Sequence, residues 1–187
     1  IQRGEARFTN LEVTVHNWKG FPSAQSGGTW AIASPEVLAD LKEYGFNLIN
    51  CANNHALDYS YGGLEATGRC LDQYGFIYAG IGKNLAEAGA PKYLDCPSGR
   101  VALIPATSSF HESWIAGEQR RDVMGRPGIN PLRVKTTYLL TPEYFEKLQQ
   151  IADSIEINAY DNLIRKEGFL PELEEGIFMF GKYTFKK

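Results

Sequence analysis

Asn50-Cys51-Ala52-Asn53-Asn54-His55-Ala56-Leu57-Asp58 follows a short apolar run, Phe46-Asn47-Leu48-Ile49, and precedes Gly62-Gly63 and a helical pattern beginning at Leu64. The stretch therefore sits where a buried strand ends and the chain turns towards a helix. In open α/β sheets, ligands bind in the crevice at the carboxyl ends of the strands. Three side chains that can bind a metal or move a proton crowd together there: Asn54, His55 and Asp58. An amide oxygen ligates a hard cation, an imidazole ligates a metal or passes a proton, and a nearby carboxylate fixes the imidazole's tautomer. Asn and His after a strand also serve simply to satisfy loop backbone. The residues alone leave both readings open.

The flanks read as repeated helix and strand steps. Ser34-Pro35-Glu36 opens a helix with Ser as N-cap; Val37, Leu38, Leu41 and Tyr44 recur at helical spacing, and Gly45 ends it. Phe46 to Ala52 is then a buried strand, and the helix–strand step is half of a parallel α/β unit. Leu64, Thr67, Leu71 and Tyr74 mark the next helix, closed by Gly75, and Phe76 to Ala79 the next strand. Gly80 and Gly82 read as turn residues, because no third glycine or Gly-Lys-Ser/Thr accompanies them. A short helix is expected over 84–88. Lys92 to Cys96 and Val101 to Ala106 form a hairpin around Pro97-Ser98-Gly99, and the apolar Val101 to Ile104 is expected to be central in a sheet.

Before this core, Phe8 to Val15 is a strand end running into an irregular segment, in which Trp18, Phe21 and Trp30 cover the sheet edge or line a pocket, core cover being the role expected. After it, 115–134 is loop-like. Thr141-Pro142-Glu143 opens a helix whose apolar face is Phe145, Leu148, Ile151, Ala152 and Ile155; 158–175 is polar and broken; Ile177 to Phe185 is strand-prone.

The 187 residues suffice for one sizeable core, and 43% hydrophobic with 22% charged residues is ordinary for a globular protein. A net charge of −3 without clustered positive charge argues against non-specific nucleic-acid binding. Cys51, Cys70 and Cys96 have no zinc-finger spacing, a disulfide framework is not expected, and Cys51 and Cys70 read as buried small hydrophobes. No run reaches the roughly 18 apolar residues of a membrane span.

Cys51 to Asp58, followed by Tyr61-Gly62-Gly63-Leu64-Glu65-Ala66-Thr67, resembles the central motif of the CapA family, linked to bacterial poly-γ-glutamate capsule synthesis. Asn10-Leu11-Glu12 resembles the family's Asn-Leu-Glu, and Gly80-Ile81-Gly82-Lys83-Asn84, with Glu87-Ala88 and Pro91, resembles a later stretch. The likeness is specific from Thr9 to Ile104 and weaker to Leu132. The family is similar to the calcineurin-like metallophosphoesterases. The resemblance therefore implies a layered α/β fold of sheets flanked by helices, one incomplete domain over 1–187, and a bacterial protein of the cell envelope or cytoplasm.

It also implies a site. Asn54 and Glu12 would be ligands of two divalent cations (Mn, Fe or Zn). His55 would protonate a leaving oxygen, and Asp58 would orient His55. Asn53 stands where the superfamily has Gly, and Glu12 where it has a bridging Asp. The family's first Gly-Asp motif is expected upstream of Ile1 and its His motifs downstream of Lys187, so the parent protein is expected to be longer. Arg126 and Arg133 are candidate clamps for an anionic substrate, and His111 a candidate facing the site; His16 is weighed only for its spacing from Glu12. Two classes of function follow. One is a metal-dependent hydrolase of phosphoester or amide type acting on an anionic polymer or phosphoester. The other is a non-catalytic subunit that binds the polymer or capsule synthase components.

Overall fold

The first part of the chain runs β1 (Phe8–Asn10), β2 (Thr14–Val15), β3 (Ile32–Ala33), α1 (Val37–Glu43), β4 (Leu48–Asn50), α2 (Ser60–Gln73), β5 (Ile77–Ala79), β6 (Ile81–Gly82), α3 (Leu85–Gly89), β7 (Lys92–Cys96), β8 (Gly99–Leu103) and β9 (Gly128–Ile129). The second part runs β10 (Thr137–Leu139), α4 (Pro142–Ser154), α5 (Ala159–Lys166), β11 (Ile177–Phe180) and β12 (Tyr183–Lys186). The structure is a computed structural model that describes residues 3–187. The chain divides between Arg133 and Val134 into two compact units. The α/β class, with parallel and antiparallel sheets flanked by helices, is the one expected.

A parallel sheet of order β1-β4-β5 carries the first unit. Asn10 pairs with Asn50, and Asn50 with Ala79, so the three strands end on one line and Leu11, Cys51 and Gly80 leave the sheet along one edge. Leu48 and Ile49 are both buried, as in a strand covered on two faces. Leu38 of α1 and Leu64 and Leu71 of α2 share that core with Val15, Ile81, Trp114 and Ile129. α1 starts at Val37, later than Ser34 implies: Val37 N and Leu38 N donate to the carbonyls of Ser34 and Pro35 in a preceding turn, and no side chain caps the helix. Gly80 has φ +100°, and a Cβ there would lie 2.6 Å from Ala52 Cβ. It permits the close approach of β5's end to the motif.

β7 and β8 form the expected antiparallel hairpin, but β8 is not central. Among the described residues it pairs with β7 alone, Val101 is 37% exposed and Ile104 67%. An apolar run shows that a strand has faces able to be covered; it does not say that this stretch of chain covers them. The segment read as loop-like also holds a short strand, β9, antiparallel to β6.

The second unit has a sheet of order β10-β12-β11. Phe145 and Ala152 of α4 pack with Phe178 of β11. Ile151 and Ile155, expected on the same apolar face, are exposed. The polar stretch after Ile157 also contains α5, none of whose residues is buried. Asn158 anchors that turn, donating from Nδ2 to Met179 O and accepting at Oδ1 from Gly181 N. Among the described residues no helix is long and apolar enough to cross a membrane.

β2 is fastened to α2 by one hydroxyl: Thr67 Oγ1 accepts from Val15 N at 2.8 Å and donates to Gly63 O at 2.8 Å. The next residue, His16, is buried, with its ring edge-on to Tyr59 at 5.0 Å. Its Nδ1 accepts from Lys19 N at 3.1 Å, so the neutral ring carries its proton on Nε2, which has no partner among the described residues. Burial holds the pKa of His16 below its ordinary 6.5. The unfolded chain therefore binds this proton more readily, and the stability His16 confers when neutral is lost as pH falls through 6.5. Urea unfolding at about pH 7.5 and about pH 5 should show a loss of stability that is smaller in His16→Gln than in the wild type. An equal loss in both proteins would contradict this.

Candidate active site

Three asparagines set the motif against the sheet. Asn10 and Asn50 end β1 and β4 side by side. Asn10 Oδ1 accepts from Asn50 Nδ2 at 2.8 Å and from Asn53 Nδ2 at 3.1 Å. Asn53 Nδ2 also donates to Leu11 O at 2.9 Å, and its Oδ1 accepts from His55 N at 3.0 Å, an Asx turn that closes the loop on itself. Asn53 is buried, so these bonds are shielded from water. They also fasten the Asn10-Leu11-Glu12 segment to the motif.

Asp58 is the deepest polar group, with a fully buried side chain. Its Oδ2 accepts from His55 Nδ1 at 2.7 Å and from Ala31 N at 2.7 Å; Oδ1 accepts from Gly27 N at 3.2 Å. Its backbone carbonyl takes Ser23 N at 2.8 Å. A carboxylate only accepts, so His55 Nδ1 carries the proton and Nε2 presents a lone pair. The imidazole side chain is 14% exposed, which leaves Nε2 a route to solvent or substrate. Asn54 Nδ2 donates to Gly27 O at 3.0 Å, which leaves the amide oxygen as its ligating end. A Cβ on Gly27 would lie 2.3 Å from Asn54 O, so only glycine allows the 26–28 loop to lie this close to the motif.

The other expected residues are placed as follows. Glu12 is exposed and follows Leu11, whose carbonyl Asn53 holds. Arg126 directs Nε (3.2 Å) and Nη2 (3.0 Å) at the Ile115 carbonyl, so its fork grips backbone. Arg133 is exposed, at the boundary between the units. His111 is exposed and caps a 3₁₀ turn, with Nδ1 2.8 Å from Ser113 Oγ. The structure thus brings together Asn54, His55 and Asp58, with Glu12 tethered through its neighbour. Arg126 and His111 have local partners of their own. Sequence reasoning missed Asn10 and Asn50, whose signal was an Asn at the last position of each of two strands, and the 23–31 loop, whose signal was Ser26-Gly27-Gly28. Among the described residues no group of three or more His, Cys, Asp or Glu side chains is placed to hold a metal ion. A groove of about 590 Å³, lined by α2, β5 and Lys92-Tyr93, includes none of these site side chains.

Asp58→Asn replaces an acceptor with an NH₂ that faces donors. It should lower unfolding free energy by about 1–3 kcal/mol and speed hydrogen exchange at the Gly27 and Ala31 amides. Unchanged protection of both amides would show that the carboxylate does not hold the loop.

Over residues 1–162 the chain matches the family described as bacterial capsule synthesis protein PGA_cap. It is 35% identical over 158 residues to each of two uncharacterized proteins of Sinorhizobium fredii, y4sH and y4uA, covering 83% of this chain and 34% of each of them. It is 31% identical over 88 residues to the capsule biosynthesis protein CapA of Bacillus anthracis, covering 47% of this chain and 21% of that protein. The chain spans about a third of the length of its Sinorhizobium relatives. The matched residues include all of the parallel sheet and every side chain of the motif, and the chain belongs to the bacterial capsule synthesis protein PGA_cap family.

Proposed function

We propose that this chain contributes the proton-transfer end of a hydrolase site, of phosphoester or amide type, that acts in capsule or cell-envelope polymer metabolism. The observation that carries the reading is the buried Asp58 carboxylate 2.7 Å from His55 Nδ1. A surface loop has no use for an imidazole held in one tautomer by a fully buried acid. With Nδ1 fixed, Nε2 takes a proton from an attacking water or, once protonated, gives it to a leaving oxygen. Asp58 stabilises the imidazolium in between, and Asn53, through His55 N, keeps the ring's backbone in place.

Asn54 and Glu12 supply an amide and a carboxylate oxygen, donors that suit a divalent Mn, Fe or Zn ion, while His55 keeps its Nε2 for proton transfer. Such ions clamp an anionic substrate and acidify a bound water. With no cluster of three or more charged or sulfur donors among the described residues, this stretch does not make a complete two-metal centre. The rest of the donor set would come from the whole protein. The incomplete donor set also supports a second reading, a subunit that binds polymer or synthase components without turnover.

Elemental analysis of the whole protein, beside its Asn54→Ala and His55→Ala variants, separates the two. The hydrolase reading expects about two transition metals per chain, reduced in Asn54→Ala, and phosphoesterase or amidase turnover abolished in His55→Ala. No bound metal after purification with manganese, or turnover unaffected by His55→Ala, would leave the binding reading.

A further inference from the structure

Backbone groups fix which way each asparagine amide at the sheet edge points. Asn53 Oδ1 accepts from His55 N at 3.0 Å and its Nδ2 donates to Leu11 O at 2.9 Å, so turning this amide over would set oxygen against oxygen and N–H against N–H. Asn50 is anchored in the same way: its Oδ1 accepts from Ala52 N at 2.8 Å and its Nδ2 donates to Ala52 O at 3.3 Å. Both residues therefore turn their NH₂ groups towards Asn10, and only an oxygen can meet two such donors. Asn10 Oδ1 does so, at 2.8 Å from Asn50 Nδ2 and 3.1 Å from Asn53 Nδ2. The orientation of the Asn10 amide is thus dictated, through its two neighbours, by the backbone.

What this leaves over is Asn10 Nδ2. Two donors occupy the oxygen's acceptor capacity, so the side chain is left as a donor alone. Asn10 is exposed, and among the described residues no acceptor takes its Nδ2 protons. The donor stands at the last position of β1, on the carboxyl edge of the parallel sheet, where α/β sheets bind their ligands. Asn53 alone links it to His55, bonding Asn10 with one end and His55 N with the other. A donor aimed before its ligand arrives gives up little freedom on binding. Its chemistry selects an oxygen. Hydrolysis of a phosphoester or an amide builds charge on a non-leaving oxygen of the phosphoryl or acyl group, the kind of charge that a fixed N–H donor stabilises.

We propose that Asn10 is a substrate-binding residue of this site, donating through Nδ2 to a non-leaving oxygen of the phosphoryl or acyl group, with Asn50 and Asn53 as its positioning residues. The assignment rests on the hydrolase reading. To test it, the whole protein, labelled with nitrogen-15 in asparagine, is titrated with inorganic phosphate and with acetate, in EDTA and again with zinc. These are the oxyanions that phosphoester and amide hydrolysis leave behind, so the response separates the two sources of the oxygen. The Asn10 side-chain signals, identified by their loss in Asn10→Asp and in Asn10→Ser, should shift saturably with at least one anion. In Asn10→Asp an oxygen still meets the Asn50 and Asn53 donors, so circular dichroism should match the wild type, while the free donor becomes an acceptor. That anion should then bind about tenfold or more weakly, as it should in Asn10→Ser. The proposal is overturned by Asn10 signals that neither anion moves in either condition, by binding as tight in both variants as in the wild type, or by tighter zinc binding in Asn10→Asp, which would turn the oxygen and not the NH₂ towards the site. Because the EDTA titration needs no metal, the Asn10 contact stands or falls separately from the metal content that tests the hydrolase reading.

Discussion

A carboxylate taken out of water must be met by donors, and Asp58 meets this demand from three directions. Two are backbone amides, of Gly27 and Ala31, some thirty residues earlier in the chain, and one is the imidazole of His55. A buried acid with fewer partners would be strongly unfavourable. The need to satisfy it is therefore what folds the 23–31 loop against the motif. The same requirement sets the tautomer of His55, places Gly27 O against the Asn54 amide, and positions the segment between Trp18 and Trp30 beside the site. Structure and chemistry share one group here, so Asp58 cannot be judged by either alone.

The parallel sheet supplies the platform for this arrangement. Its strands end in register at Asn10, Asn50 and Ala79, so the chain departures that carry Glu12 and His55 leave from neighbouring points. Asn10, Asn50 and Asn53 then bond one another across that edge. Amide side chains suit this place: each offers donors and acceptors without the desolvation penalty of a charge. The family match extends through this region and on to residue 162, beyond the boundary between the two units.

Much of this was legible in the sequence because it is local. Apolar runs closed by Gly45 and Gly75 placed two strands and two helices, and the spacing of His55 and Asp58 put their side chains within reach across one turn. Nonlocal features were not legible. That Asp58 binds backbone at Gly27 and Ala31 depends on loop closure, which leaves no periodic signal. Trp18, Phe21 and Trp30, exposed in the fold, read as core because hydrophobic side chains usually are, and Val101 to Ile104 read as a central strand for the same reason. Arg126 read as a substrate clamp because a guanidinium suits an anion, but it suits the Ile115 carbonyl as well. Side-chain chemistry narrows the partners; only the fold chooses among them.

The central claim is that the Asp58 carboxylate fixes the His55 ring with its proton on Nδ1. Nitrogen-15 NMR of the histidine side chains, with His16→Gln and His111→Gln used for assignment, tests it directly. The account predicts a protonated Nδ1 and a bare Nε2 for neutral His55, with the Nδ1 proton shifted downfield and lost from that position in Asp58→Asn. A His55 ring protonated on Nε2 at neutral pH, or one whose signals are the same in Asp58→Asn, would contradict it.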